Sequence, residues 1–119
     1  MFEVGVSGDL LDRNNEPCFG NGPLNLLKDR DDIKITWMDK TISELSSEMT
    51  SNFDAILLNL PKANANCVSN SDCRLKIIAR FGVGFDTVDI EAMKRKNIIV
   101  TNTPNAVRRP VAVAALTMM

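Results

Sequence analysis

An open α/β domain, with a mostly parallel five-stranded sheet and flanking helices, is the fold class this sequence predicts. Short apolar runs rich in β-branched residues recur at 2–6, 33–38, 55–60, 75–80 and 98–101. Helical or polar segments separate them, and strands that alternate with helices favour parallel order. The third run, Ala55-Ile56-Leu57-Leu58-Asn59-Leu60, is apolar on both faces. That pattern suits a strand covered on both sides within a parallel sheet.

The elements follow in order. Val4 and Val6 flank Gly5 in the first strand. Residues 7–22 are polar and rich in Asp, Asn and Gly, at about 15 residues a long connection for a compact domain. Such a segment is either a functional loop or mobile. Pro23 suits a first helical turn, and Leu24, Leu26 and Leu27 mark the short helix after it. Ile33, Ile35 and Trp37 share one face of the second strand by alternation. Residues 43–49 read as a weak helix. Pro61 ends the third strand, and residues 62–72 have room for one helical turn. The helix between strands four and five has the clearest signals. Asp89 is a good N-cap and Glu91 lies in the first turn. Lys94, Arg95 and Lys96 place positive charge at its end, as the helix dipole favours. Asn97 stands where a left-handed residue is wanted. Another helix opens at Pro110. A strand order of 2-1-3-4-5, as in flavodoxin-like domains, is the natural arrangement for these elements.

Composition narrows the partners. At 119 residues the chain is long enough for one domain with a working core. Lys plus Arg is 14 against 15 for Asp plus Glu, so a net charge of -1 gives no general attraction to nucleic acid. No apolar stretch approaches the ~20 residues that cross a bilayer, and the first residues lack a signal-peptide pattern. A cytoplasmic protein with no membrane partner is expected. Cys18, Cys67 and Cys73 form no CxxC pair and read as reduced thiols. With no histidine in the chain, no metal site is expected and the usual general base at neutral pH is missing.

Chemistry concentrates in residues 75–110, a strand, glycine loop, helix and strand of βαβ proportions in about 35 residues. Gly82-Val83-Gly84-Phe85-Asp86-Thr87 begins like a dinucleotide fingerprint but has Thr87 at its last glycine position. The acidic residue due ~20 positions later is also missing. A nucleotide pyrophosphate site and a plain tight turn remain alternatives. The preferred reading is a small carboxylate held by the N–H groups of Val83 and Gly84. Asn59-Leu60-Pro61, at the exit of the third strand, lies where open α/β sheets bind ligands, or simply marks a strand stop. Arg108 and Arg109 sit before a helix start, where the dipole disfavours them. They are either a solvated pair or a place where one arginine, Arg108, faces an anionic ligand. A phosphoacceptor receiver is excluded by Ser7-Gly8-Asp9 and Asn59-Leu60 at the first and third strand exits. A flavin carrier is disfavoured by the first loop and by the lack of tyrosine, with Trp37 the single tryptophan.

Residues 80–104 resemble the N-terminal, substrate-side domain of the NAD-dependent D-isomer-specific 2-hydroxyacid dehydrogenases. The resemblance rests on Gly82 and Gly84, on Asp86 and Asp89, on the basic helix end, and on Val100, Asn102 and Pro104. Val107-Arg108-Arg109-Pro110-Val111-Ala112 is similar to one branch of that family. The resemblance implies that the Val83-Gly84 backbone contacts the substrate carboxylate, with Val83 and Val111 near the nicotinamide end of NAD or NADP. It divides the chain into a substrate-binding domain, 1–109, and the start of a crossover helix, 110–119, leading toward a Rossmann domain. The family's catalytic arginine, glutamate and histidine then lie beyond residue 119, and no catalytic residue is expected in this chain. The expected reaction is hydride transfer between NAD(P) and the CH–OH of a D-2-hydroxy acid, with a small 2-hydroxy or 2-keto acid as partner. The full-length form is expected to be a homodimer, and this chain a fragment inactive by itself. The alternative is a stand-alone, non-enzymatic α/β module that binds a small carboxylate or a protein. Ala112-Val113, Leu60-Pro61 and Asn97 depart from the family pattern, so substrate choice does not carry over.

Overall fold

The computed structural model describes residues 2–18, 20, 22–81, 86–103 and 116–118. In chain order the elements are β1 (Phe2–Val6), α1 (Gly22–Lys28), β2 (Ile33–Trp37), α2 (Ser47–Asn52), β3 (Ala55–Leu58), β4 (Ile77–Arg80), α3 (Ile90–Arg95) and β5 (Ile99–Thr101). Single 3₁₀ turns occupy Gly8–Leu10 and Ala65–Val68. The strands form one sheet in the order β2-β1-β3-β4-β5. Every pairing between them is parallel, so the expected order holds and the sheet is more uniform than expected.

Register explains the packing. Val4 pairs with Ile35 on one side and Ala55 on the other, and Val6 with Trp37 and Leu57. These residues point to one face and, with Leu10, make a small core cluster. Ile56, Leu58 and Ile78 point to the other face and are fully buried. They meet Phe53, Cys67 and Met93 in the larger cluster, formed with α2, α3 and the Ala65–Val68 turn. Each fully buried side chain of this size contributes roughly 1.5–3 kcal/mol. Gly5 has no side chain because the Phe53 ring lies against it, and a Cβ there would sit 2.9 Å from a ring carbon. Burial pushes the Cys67 thiol up to about 11, and the residue is an un-ionised part of this core.

The helix signals read from sequence are met in α3. The Asp89 carboxylate accepts a hydrogen bond from the Ala92 N–H at 3.1 Å. Asn97 is left-handed, with φ 58°. α2 is a correction: it starts at Ser47, later than the expected 43–49 span. Ser46 caps it by accepting from the Met49 N–H. The residues before the cap are engaged elsewhere. Glu44 bridges Lys62 in parallel, and the Leu45 N–H donates to the Lys62 carbonyl at 2.8 Å. The described residues of the 7–22 connection make local hydrogen bonds. Asp12 accepts from the Asn14 and Glu16 N–H groups, and Leu11 bridges Pro17. The expected turn within 62–72 is the 3₁₀ segment, whose cap Asn64 accepts from the Asn66 and Cys67 N–H groups. The Gly82-Val83-Gly84 loop and the helix start at Pro110 lie outside the described residues. No described helix is long and apolar enough to cross a membrane.

The strand ends were the least accurate expectations. β4 starts at Ile77, not Leu75, because the chain before it is pinned from the side. Asp54, buried at the amino end of β3, accepts from Arg74 Nη2 at 2.7 Å and from the Glu3 N–H at 2.8 Å. The Lys76 N–H donates to the Asp54 carbonyl at 2.8 Å, which sets where the ladder begins. The Arg74 hydrogen bond, supported by the Glu3 N–H, holds the Asp54 carboxyl below the ordinary carboxylate value against the opposing effect of burial. A depressed carboxylate stabilises the fold fully above its unfolded pKa of ~3.9 and loses that contribution as pH falls through the folded value. Asp54→Ala is therefore expected to cost about 2 kcal/mol at pH 7, since Arg74 remains half exposed and relaxes into water. In urea titrations followed by circular dichroism, the gap between wild type and variant should narrow below pH 4.

Candidate functional site

Parallel strands all release their carboxyl ends at one rim. β1 is flanked by β2 on one side and β3 on the other, so successive connections leave in opposite directions here. Open α/β sheets form their ligand crevice at such a switch point. Three strand exits meet around it: Ser7-Gly8-Asp9 after β1, Asn59-Leu60 after β3, and Phe81 after β4.

Asp9 crosses the switch point. One carboxylate oxygen, Oδ2, accepts from Asn59 Nδ2 at 2.7 Å and from the Leu60 N–H at 3.1 Å. The Ser7 hydroxyl donates to the other, Oδ1. Ser7 is itself buried, and its N–H donates to the Leu57 carbonyl at 2.9 Å. These bonds pull Asn59 and Leu60 out of strand geometry, which is why β3 stops at Leu58 instead of the expected Leu60. Gly8 makes the turn possible. A Cβ there would lie 2.2 Å from the Met38 carbonyl oxygen and 2.7 Å from backbone atoms of Asp39 and Lys40.

Arg80 closes β4, in register with Leu58. Its Nη1 donates to the Phe81 carbonyl at 2.8 Å and makes longer contacts, at 3.4 Å, with the Leu58 carbonyl and Asn59 Oδ1. Its Nε–H is buried and has no partner among the described residues. The ion pairs among those residues are Arg30–Asp32 and Arg74–Asp54, and neither touches Arg80. Farther along the rim a cavity of about 470 Å³ is lined by residues 62–64 and 86–89. The Ala63–Val88 bridge lies at its floor, with the Ala63 N–H on the Thr87 carbonyl and the Asp89 N–H on the Ala63 carbonyl, both at 2.8 Å.

Of the residues singled out from sequence, Leu60 is described. It stands at the switch-point rim with its amide held by Asp9 and its side chain 68% exposed. A ligand here would meet that side chain, not the amide. Val83, Gly84, Arg108 and Val111 lie outside the described residues. Asn59 stands with Leu60 at the third-strand exit marked by the sequence, whereas Asp9 and Arg80 carry no expected site role and are joined to it only by side-chain contacts. The available signal was a polar residue just after, or at the end of, each of three apolar runs, which becomes a cluster only once the side-chain contacts between the strand exits are known.

The model of the D-isomer specific 2-hydroxyacid dehydrogenase catalytic domain matches residues 19–115. A glyoxylate reductase of Thermococcus gammatolerans is 29% identical over 97 residues, which are 81% of this chain and 29% of that protein. A D-3-phosphoglycerate dehydrogenase of Synechocystis is 35% identical over 88 residues, 74% of this chain and 15% of that protein. Among solved structures, NAD+-bound 3-phosphoglycerate dehydrogenase of Entamoeba histolytica superposes with a TM-score of 0.77 at 24% identity, over 99% of this chain and 38% of its own. D-lactate dehydrogenase of Aquifex aeolicus, complexed with NAD and lactic acid, gives 0.68 at 25% identity, over 97% of this chain and 32% of its own. The chain thus spans 29% of the Thermococcus relative's length.

Because the atoms around Gly8 are backbone, they cannot move aside as a side chain could. Gly8→Ala should destabilise the fold by about 3 kcal/mol, read as a lower urea midpoint at unchanged slope.

Proposed function

Because this chain belongs to the D-isomer-specific 2-hydroxyacid dehydrogenase family, through its catalytic domain, we propose that it forms the substrate-holding wall of an enzyme that moves hydride between NAD or NADP and the 2-carbon of a small D-2-hydroxy acid. The observation that supports this most is the polar cluster of Asp9, Asn59 and Arg80 at the sheet's switch point in a chain of that family. In this reading the Val83 and Gly84 N–H groups take the carboxylate, Leu60 walls one side of the substrate, and Arg108 adds positive charge. Val83 and Val111 lie toward the nicotinamide. Two adjacent N–H groups after a strand suit a planar anion, and glycine at 84 lets it approach the backbone.

The cofactor supplies the hydride chemistry when bound. These 119 residues bind and orient the acid. With no histidine among them, proton transfer at the substrate oxygen falls to groups outside residues 1–119. Glyoxylate is the first acid to test, since the 29%-identical relative is a glyoxylate reductase. The alternative of a non-enzymatic module is not favoured, because the relatives named above are dehydrogenases and a reductase.

Titration of the ¹⁵N-labelled chain with oxalate, a non-reacting stand-in for the substrate's carboxylate end, should move the amide resonances of residues 60 and 81–84. It should leave those of α1 in place. Shifts spread evenly over the surface, or none, would sink the carboxylate site. The chain alone should oxidise no NADH in the presence of glyoxylate; measurable turnover would place the missing proton-transfer group inside residues 1–119.

A further inference from the structure

We propose that Asp9 is a positioning residue of the carboxyl-terminal rim: it sets which end of the Asn59 amide faces Arg80, and so holds the guanidinium at the end of β4. The proposal rests on the reading of that rim as a carboxylate site.

A side-chain amide has a donor end and an acceptor end. An ionised carboxylate only accepts, so the end of Asn59 that faces Asp9 must be the NH₂ group. The separation is 2.7 Å from Nδ2 to Oδ2. The carbonyl end is thereby turned to Arg80 Nη1, at 3.4 Å. Reversed, the amide would set donors against the guanidinium. Asp9 cannot readily turn away, because Ser7 holds its other oxygen and the Leu60 N–H shares Oδ2. Three donors also offset the carboxylate's own charge, which would otherwise oppose an anion nearby. A direct Asp–Arg pair would neutralise the guanidinium. The interposed amide avoids this: Arg80 donates through Nη1 to carbonyl oxygens of Leu58, Asn59 and Phe81 instead of to a carboxylate. Its buried Nε–H finds no acceptor among the described residues. The segment after β1 is thus linked to the end of β4 by a hydrogen-bonded relay.

The test uses the ¹⁵N-labelled chain, oxalate as probe, and two variants. Asp9→Asn replaces the acceptor with an amide that can no longer dictate Asn59. It should shift the Leu60 N–H and Arg80 Nε–Hε resonances without ligand and raise the oxalate dissociation constant about tenfold. Asn59→Ala keeps the Asp9–Leu60 bond. It should shift the Arg80 signal, spare Leu60, and weaken oxalate to a similar degree. This split between two reporters is not what a general loss of packing produces, and Asn59→Ala decides the matter if Asp9→Asn does not fold. If the wild-type chain binds oxalate and the folded variants bind it equally, or if the Arg80 signal stays in place, the positioning role is overturned alone. If the wild-type chain ignores oxalate, the carboxylate site is overturned and the positioning role goes with it.

Discussion

Parallel pairing constrains everything else in this molecule. Two parallel neighbours cannot be joined by a tight turn, so each connection crosses a face of the sheet before the next strand begins. All five strands therefore start at one edge and end at the other. The amino-terminal edge holds the Asp54–Arg74 pair and the carboxyl-terminal edge holds Asp9, Asn59 and Arg80. Stability and candidate chemistry are separated by the length of a strand.

The two polar clusters are built on opposite logic. At the amino edge Asp54 meets arginine directly, and the charges cancel against a buried carboxylate. At the carboxyl edge an amide stands between Asp9 and Arg80. The first arrangement fixes a strand start. The second keeps a carboxylate and a guanidinium apart at the rim. β3 is common to both, with Asp54 before it and Asn59 after it.

Much of the fold was legible along the chain, and the errors have a pattern. Asp89 and Asn97 carry their meaning locally, through a cap and a left-handed turn, and both behave as read. The start of α2 and the ends of β3 and β4 were misjudged because distant partners set them. Lys62 engages the backbone of Ser43 and Leu45 before α2, Asp9 draws Leu60 away from β3, and Asp54 sets the entry to β4. The site was legible in the same uneven way. Asn59 and Leu60 stand out by their place at a strand exit, whereas their link to Asp9 and Arg80 does not, since the contacts span 50 and 21 residues.

By itself the sequence determined the alternation of strand and helix, the two-faced burial of β3, the caps of α3, and the resemblance to a dehydrogenase family. These depend on residue type and short spacing, which a linear reading contains. Only the tertiary structure decided that Asp9, Asn59 and Arg80 meet at the carboxyl-terminal edge, and where β3 and β4 stop and start. The direction of a side-chain amide was also settled there, because it depends on what stands at each of its ends. Such contacts join residues far apart in the chain, and no short spacing encodes them.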